Sequence, residues 1–246
     1  MAHGIDITYA PTDTLKAVAD DVWIVDGPAI RFGFPKMSFP TRMTVIRLRD
    51  DALFIHSPTP LPPELKSAIE AIGTPRWIIG PNRIHYWWIP VWRDAYRAAD
   101  VYLAPGIRRR ARGRIDFPAH ELARATGYPW DTSIATLPVR GRYMTECVFF
   151  HRPSRTLVLT DLIENFEAEK LGFWTRWLTR LGGAQDPDGR MPRDMRLTYP
   201  KAELRRALGI MIAWEPDRII LAHGRWYDRD AVNELRRAFR WLLDRS

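Results

Sequence analysis

The chain predicts a mixed β-sheet with helices on its outside, of the α/β (α+β) class. Three observations carry this. A β-hairpin and then a strand–helix–strand unit occupy the first half. A second hairpin follows a less regular middle. The end runs helix, strand, helix. There is no fixed-period repeat and no low-complexity linker, so one domain over 1–246 is the economical expectation.

In chain order, Val22 to Val25 is a short β-branched run that meets a turn signal at Asp26-Gly27-Pro28, and Gly33 to Pro40 reads as a loop. Met43 to Leu48 and Ala52 to Ile55 form a hairpin around Arg49-Asp50-Asp51. Pro62-Pro63 opens a helix, because proline lacks only an N–H that the first turn would leave unpaired. Leu65, Ile69 and Ile72 share one face of it, and Gly73 ends it. Trp77 to Ile79 is a buried strand, His85 to Ala98 reads as an aromatic-rich helix, and Val101 to Ala104 is again a strand. The stretch from Arg108 to Pro138 reads as an insertion with a helix near Ala119 to Thr126. Thr145 to Phe150 and Thr156 to Thr160 make the second hairpin, turning at Arg152-Pro153-Ser154. Phe173, Trp177 and Leu181 fall on one helical stripe. Gly182 to Arg196 is a loop, Lys201 to Trp214 a helix, Arg218 to Ala222 a strand, and about Asp230 to Asp244 the last helix.

Composition is that of a globular protein, with 46% hydrophobic and 27% charged residues, enough for a sizeable core. No run approaches the roughly 20 apolar residues of a membrane helix, and Met1 to Lys16 lacks the apolar stretch of a signal peptide. A soluble, cytoplasmic, bacterial protein is the expectation. Cys147 is the single cysteine, which excludes an intramolecular disulfide and a multi-cysteine zinc motif; in Cys147-Val148-Phe149-Phe150 it reads as a buried thiol. The net charge of +8 is mostly arginine. A basic field can attract nucleic acid or phosphorylated ligands, but the arginines are spread along helix faces. The one run, Arg108 to Arg114, reads as a solvated loop, and no aromatic-studded strand of the RNA-binding kind is present. Neither a nucleic-acid partner nor membrane insertion is expected.

One local pattern recurs four times: an apolar strand ends and a polar residue follows. The cases are His56 after Phe54-Ile55, Asn82 and His85 after Trp77-Ile78-Ile79, Asp161 after Leu157 to Thr160, and His223 after Ile219 to Ala222. Sites collect at strand ends in α/β folds. Each residue alone also has an ordinary reading, as a hydrogen-bonded histidine or as the N-cap aspartate of the next segment. The repetition makes them a candidate site.

The segment Arg76 to Gly106, the strand ending in Asp161 and the strand ending in His223-Gly224 resemble the metallo-β-lactamase fold superfamily over most of the chain from Val22. The phrases Phe39-Pro40-Thr41-Arg42-Met43-Thr44, His56-Ser57-Pro58, Pro81-Asn82…His85 and Phe149-Phe150-His151…Ser154-Arg155-Thr156-Leu157 are similar to an uncharacterised, domain-of-unknown-function family within it. The resemblance implies a four-layer αββα sandwich and a degenerate metal site. The superfamily signature His-x-His-x-Asp-His holds two cations; here the loop is Pro81-Asn82-Arg83-Ile84-His85-Tyr86-Trp87, and His56 stands where an Asp is usual. Tyr143 and Met144 stand where a further histidine belongs. A two-metal centre is therefore not expected. One zinc ion on His85, Asp161 and His223, with Glu146 or His151 assisting, is one alternative; no metal, with the same residues as a polar network, is the other. Two functions follow as expectations. One is a mononuclear-metal hydrolase of a small anionic substrate, with Asp161 and His223 catalytic and Arg155 or the arginine run holding the anion. The other is a metal-free, non-catalytic binding protein that keeps the cleft for a small-molecule ligand, its walls drawn from Tyr86-Trp87-Trp88…Trp92, which otherwise read as helix core. Asn82 and His56 complete the candidates, and oligomeric state stays open.

Overall fold

The computed structural model describes residues 7–32 and 37–243. Two β-sheets lie between helices. The first has seven strands in the order β1 (Lys16–Ala19), β2 (Val22–Phe32), β3 (Met37–Arg47), β4 (Ala52–His56), β5 (Thr74–Gly80), β6 (Asp100–Leu103) and β7 (His120–Glu121). β1 to β4 are antiparallel, and β4 to β7 are mutually parallel. The second has β8 (Ile134–Arg140), β9 (Thr145–His151), β10 (Thr156–Leu159) and β11 (Arg218–Leu221). Here β8, β9 and β10 are antiparallel, and β10 and β11 run parallel.

The helices are α1 (Pro63–Ile72), α2 (Ile89–Ala95), α3 (Ile107–Ala111), α4 (Phe173–Gly182), α5 (Arg193–Arg196), α6 (Lys201–Ala213), α7 (Ala231–Ala238) and α8 (Arg240–Leu243). Alternation along the second sheet assigns the layers. Cys147 and Phe149 of β9, Val158 of β10 and Ile220 of β11 pack with the first sheet. Their neighbours Val148, Phe150, Leu157, Leu159, Ile219 and Leu221 pack instead with Leu204, Leu208 and Met211 of α6 and Leu235 of α7. These strands read as continuous apolar runs because both faces are buried. On the other flank, Leu65 and Ile69 of α1 and Ile89 and Trp92 of α2 join the first sheet's core.

Several expectations are corrected. β2 and β3 are longer than the apolar runs, because the Asp26-Gly27-Pro28 signal is absorbed as an irregularity between Gly27 and Ile30 within a continuing strand. A Cβ at Gly27 would lie 2.7 Å from Thr41 and Thr59, so the close approach needs glycine. Of the loop expected over 33–40, residues 37–40 are strand and 33–36 lie outside the described residues. The helix read over His85–Ala98 shrinks to α2, and the helix near Ala119–Thr126 is replaced by the short edge strand β7. β8 was hidden in the expected insertion. It carries Pro138, which a strand tolerates at a sheet edge. Part of the arginine run is helical, as α3. The last helix is interrupted at Phe239 into α7 and α8, and its expected end at Asp244 lies outside the described residues. No helix among the described residues is long and apolar enough to cross a membrane.

Candidate metal centre

β4 and β5 are parallel, as are β10 and β11, so within each sheet the polar residues that follow these strands emerge at one end. The two sheets bring those ends together. His85, from the turn after β5, meets Asp161 after β10 and His223 after β11. His85 Nε2 lies 3.3 Å from Asp161 Oδ2 and 3.3 Å from His223 Nε2, and His223 Nε2 lies 3.4 Å from Asp161 Oδ1. One ligand-capable atom from each residue falls within 4.8 Å of the others, and this is the only such group of three among the described residues.

The surroundings fix how these atoms point. His223 Nδ1 is 2.7 Å from the carbonyl of Pro40 on β3. A carbonyl only accepts, so Nδ1 carries the hydrogen and a neutral ring offers the Nε2 lone pair to the cluster. His85 Nδ1 is paired with Ser57 Oγ at 2.7 Å, which turns its Nε2 inward in the same way. Ser57 follows β4 in the left-handed conformation, with φ 51°, and its N–H bonds Ile79 O. A non-glycine residue is strained there and is held because the strand end is fixed on both sides.

Asn82 is fully buried and ties the cluster together. Its Nδ2 donates to Asp161 Oδ2 and to Thr160 Oγ1, the latter at 2.9 Å, while its Oδ1 accepts from the N–H groups of Ile84 and His85. The amide thus shapes the turn that presents His85. Glu146 sits beneath Asp161, its two oxygens accepting the N–H groups of Thr160 and Asp161 at 2.8 and 2.9 Å. Burial, with the neighbouring charge of Asp161, raises its pKa, and the two N–H donors pull the other way. At Asp161 burial also pushes upward, but His85 and His223 outweigh it and hold the carboxyl well below the usual range. Burial lowers the His223 pKa, and hydrogen bonding and charge from Asp161 more than restore it, leaving it raised.

The expected residues therefore divide. His85, Asp161 and His223 converge, and Asn82 and Glu146 brace them. His56 is next to Ser57 but outside the group of three; it is buried against Phe149, neither ring nitrogen has a partner among the described residues, and burial lowers its pKa to about 3. His151 and Arg155 lie at the opposite end of β9 and β10, because the hairpin turn is there: His151 pairs with Ser154, and Arg155 with Asp217 and Glu215. Neither can assist the cluster. Of the arginine run, Arg108 is committed to the carbonyls of Ile115 and Phe117.

Three residues outside the expected set matter. Ser57 had a signal, the strand end His56-Ser57-Pro58. Arg42, within the Pro-Thr-Arg phrase, had one only in hindsight: it reaches across from β3 to the carbonyls of Leu221 and Gly224 at 2.7 and 2.8 Å, while Asp26 balances its charge at 2.7 Å. Glu164, three residues after Asp161, lines the cleft, and burial pushes its pKa up to about 8.

The cluster lies in the wall of a cavity of about 690 Å³ whose surface is mainly apolar. Tyr86, Trp87 and Trp88 line it, whereas Trp92 is core and donates to Thr59 O at 2.7 Å. The fold and this strand-end cluster define a metallo-β-lactamase-fold protein. The chain belongs to the family described as Domain of unknown function (DUF4336), matched over residues 19–174. Similar solved structures include the DIM-1 metallo-β-lactamase exposed to ceftazidime, with TM-score 0.62, 12% identity and coverage of 95% of this chain and 97% of that one. Another is the FIM-1 metallo-β-lactamase from Pseudomonas aeruginosa in its mono-zinc form, with TM-score 0.60, 13% identity and coverage of 94% and 96%. The metal-soaked Flv1 flavodiiron core from Synechocystis sp. PCC6803 gives TM-score 0.63 and 11% identity, covering 94% of this chain and 60% of that one. No curated protein matches the chain in sequence.

Proposed function

We propose that His85, Asp161 and His223 hold one zinc ion and that the protein is a mononuclear-metal hydrolase. The observation that carries this reading is the spacing of the three donors. Zinc–nitrogen bonds of about 2.0–2.1 Å at tetrahedral angles set donors roughly 3.3–3.4 Å apart. Here the two imidazole nitrogens lie 3.3 Å apart, His85 Nε2 is 3.3 Å from Asp161 Oδ2 and His223 Nε2 is 3.4 Å from Oδ1, and one donor atom from each residue lies within 4.8 Å of the others. The outward nitrogens of both imidazoles are fixed by Ser57 and Pro40, the arrangement that orients metal-binding histidines. Three protein donors leave a fourth position for water or substrate. When bound, the ion would supply a Lewis acid and lower the proton affinity of water. The chain's own part is to keep both imidazoles oriented, to hold Asp161 ionised between them with Asn82 fixing its carboxylate, and to carry Glu164 and Arg193 on the cleft wall, where a carboxyl that burial keeps protonated can give up a proton and a cation can meet an anion. We take the two sheets and their helices as one domain. A lone, buried Cys147 fits a reducing compartment such as the cytoplasm.

Elemental analysis of protein purified without added metal tests the reading. About one zinc per chain is expected, and His223→Ala should lose both the ion and hydrolysis of a chromogenic ester panel. Well-folded wild-type protein that carries no metal, and takes none up, would falsify it. The second reading, a metal-free binding protein, is favoured by one observation: Asp161 already has both imidazoles and Asn82 as partners, so its carboxylate is satisfied without an ion.

A further inference from the structure

Among the described side chains of α4, the apolar Phe173, Trp177, Leu178 and Leu181 are 66, 50, 40 and 60% exposed, while Thr179 is buried. Thr179 bonds back to the carbonyls of Thr175 and Arg176 and accepts from Gln185, so a polar face anchors the helix. An amphipathic helix in water buries its apolar face in the core. Exposed apolar groups set together mark a surface that something else covers. Leu178 and Leu181 also line the cavity that holds the His85–Asp161–His223 cluster. The apolar lining of that cavity takes in Trp87, Trp88 and Phe166 together with Leu178 and Leu181, whose side chains also reach solvent. His85, Asp161 and His223 line the same cavity, and Asp161 and His223 are buried, with Glu164 and Arg193 also in its wall.

We propose that the cleft takes an amphiphile with a long apolar chain, its polar head at the His85–Asp161–His223 cluster and its tail along Leu178 and Leu181 of α4. A cavity of about 690 Å³ suits such a molecule rather than a small hydrophilic anion. The order of polarity, head group inward and apolar track outward, matches a fatty acyl compound. The tail contributes binding by apolar burial alone, so tail recognition does not need the ion. The identity of the head's partner rests on the metal reading of the cluster; the apolar track does not.

cis-Parinaric acid, a fluorescent fatty acid, is the probe. Its emission should rise on binding to the purified protein and equally to protein dialysed against a chelator. Hexadecanoate should displace it and butyrate should not. Leu181→Arg, at an exposed position that a folded protein tolerates, should weaken it at least about tenfold. Leu181→Ser provides a second variant of the same direction, and circular dichroism checks both folds. Absence of binding in both forms, displacement by butyrate as readily as by hexadecanoate, or unaltered affinity in both variants overturns the proposal. Binding that disappears on chelation overturns it too, since the head alone would then hold the ligand. Untreated protein that carries no metal and takes none up, yet binds parinarate, counts against the metal reading only. Flotation with phosphatidylglycerol vesicles separates the two sources of such a ligand: protein carried up with the lipid takes it from a surface, and protein left below takes it free from solution.

Discussion

Asn82 stands in the turn that presents His85, and its side chain explains how that turn is held. A neutral carboxamide is a poor donor to zinc beside imidazole and carboxylate. It is a good bridge, because it donates and accepts at once. Here it donates to Asp161 and Thr160 and accepts from two backbone N–H groups. These bonds fix the shape of the turn. Ser57 does the corresponding work for His85. Ser57→Ala should leave the fold intact and lower zinc affinity about 10–100-fold, measured by competition with a chelating dye, as expected for loss of a partner that orients a ligand. At this scale the sequence was legible where chemistry followed a strand: His85, Asp161 and His223 were found by that rule. The same rule also named His56, which lies outside the group, whereas His151 and Arg155, expected to assist, lie away from it because the hairpin that delivers Asp161 turns at their end. Ser57 shared the strand-end signal of His56-Ser57-Pro58, but that signal does not say which of two adjacent residues faces the cluster.

The strand termini act as elements only because something holds the end of β11. That is the work of Arg42, whose guanidinium bonds the carbonyls of Leu221 and Gly224 while paired with buried Asp26. Gly224 adopts φ 87° and its Cα sits where a Cβ would come within 2.0 Å of Asn165 O. The chain can leave β11 beside His223 only at glycine. Arg42→Met should destabilise the protein by about 3–5 kcal/mol in denaturant unfolding, because Asp26 is left with a buried charge paired only to Lys16. The apolar strands β4, β5, β9, β10 and β11 were legible from their composition. β8 was not, since a proline in an edge strand looks like a loop residue. α4 was read correctly as amphipathic, but sequence periodicity says which residues share a face and not whether that face is covered.

For the whole molecule, the layering follows from strands buried on both faces, and it traps titratable groups between the layers. His56 is the clearest. Burial holds its pKa at about 3 against an ordinary 6.5. Between those values the unfolded chain binds a proton that the folded chain refuses, so this group's contribution is full above about pH 6.5 and is lost as pH falls toward 3. Stability should therefore drop on acidification by up to about 1.4 kcal/mol per pH unit from this residue, and His56→Leu should flatten that part of the curve in denaturant titrations taken across pH. A pH dependence unchanged in the variant would place the acid sensitivity elsewhere.

The three vertices of the cluster are not shared equally between the sheets. His85 and its partner Ser57 hang from the first, Asp161 and His223 from the second, and Pro40 of the first sheet reaches over to the ring of His223. The seam between the sheets therefore opens at the cluster, and whatever occupies the cluster is gripped by both halves. In mechanical language it is a rivet set across a joint. A sheet-parting fluctuation would have to tear donors from both plates at once.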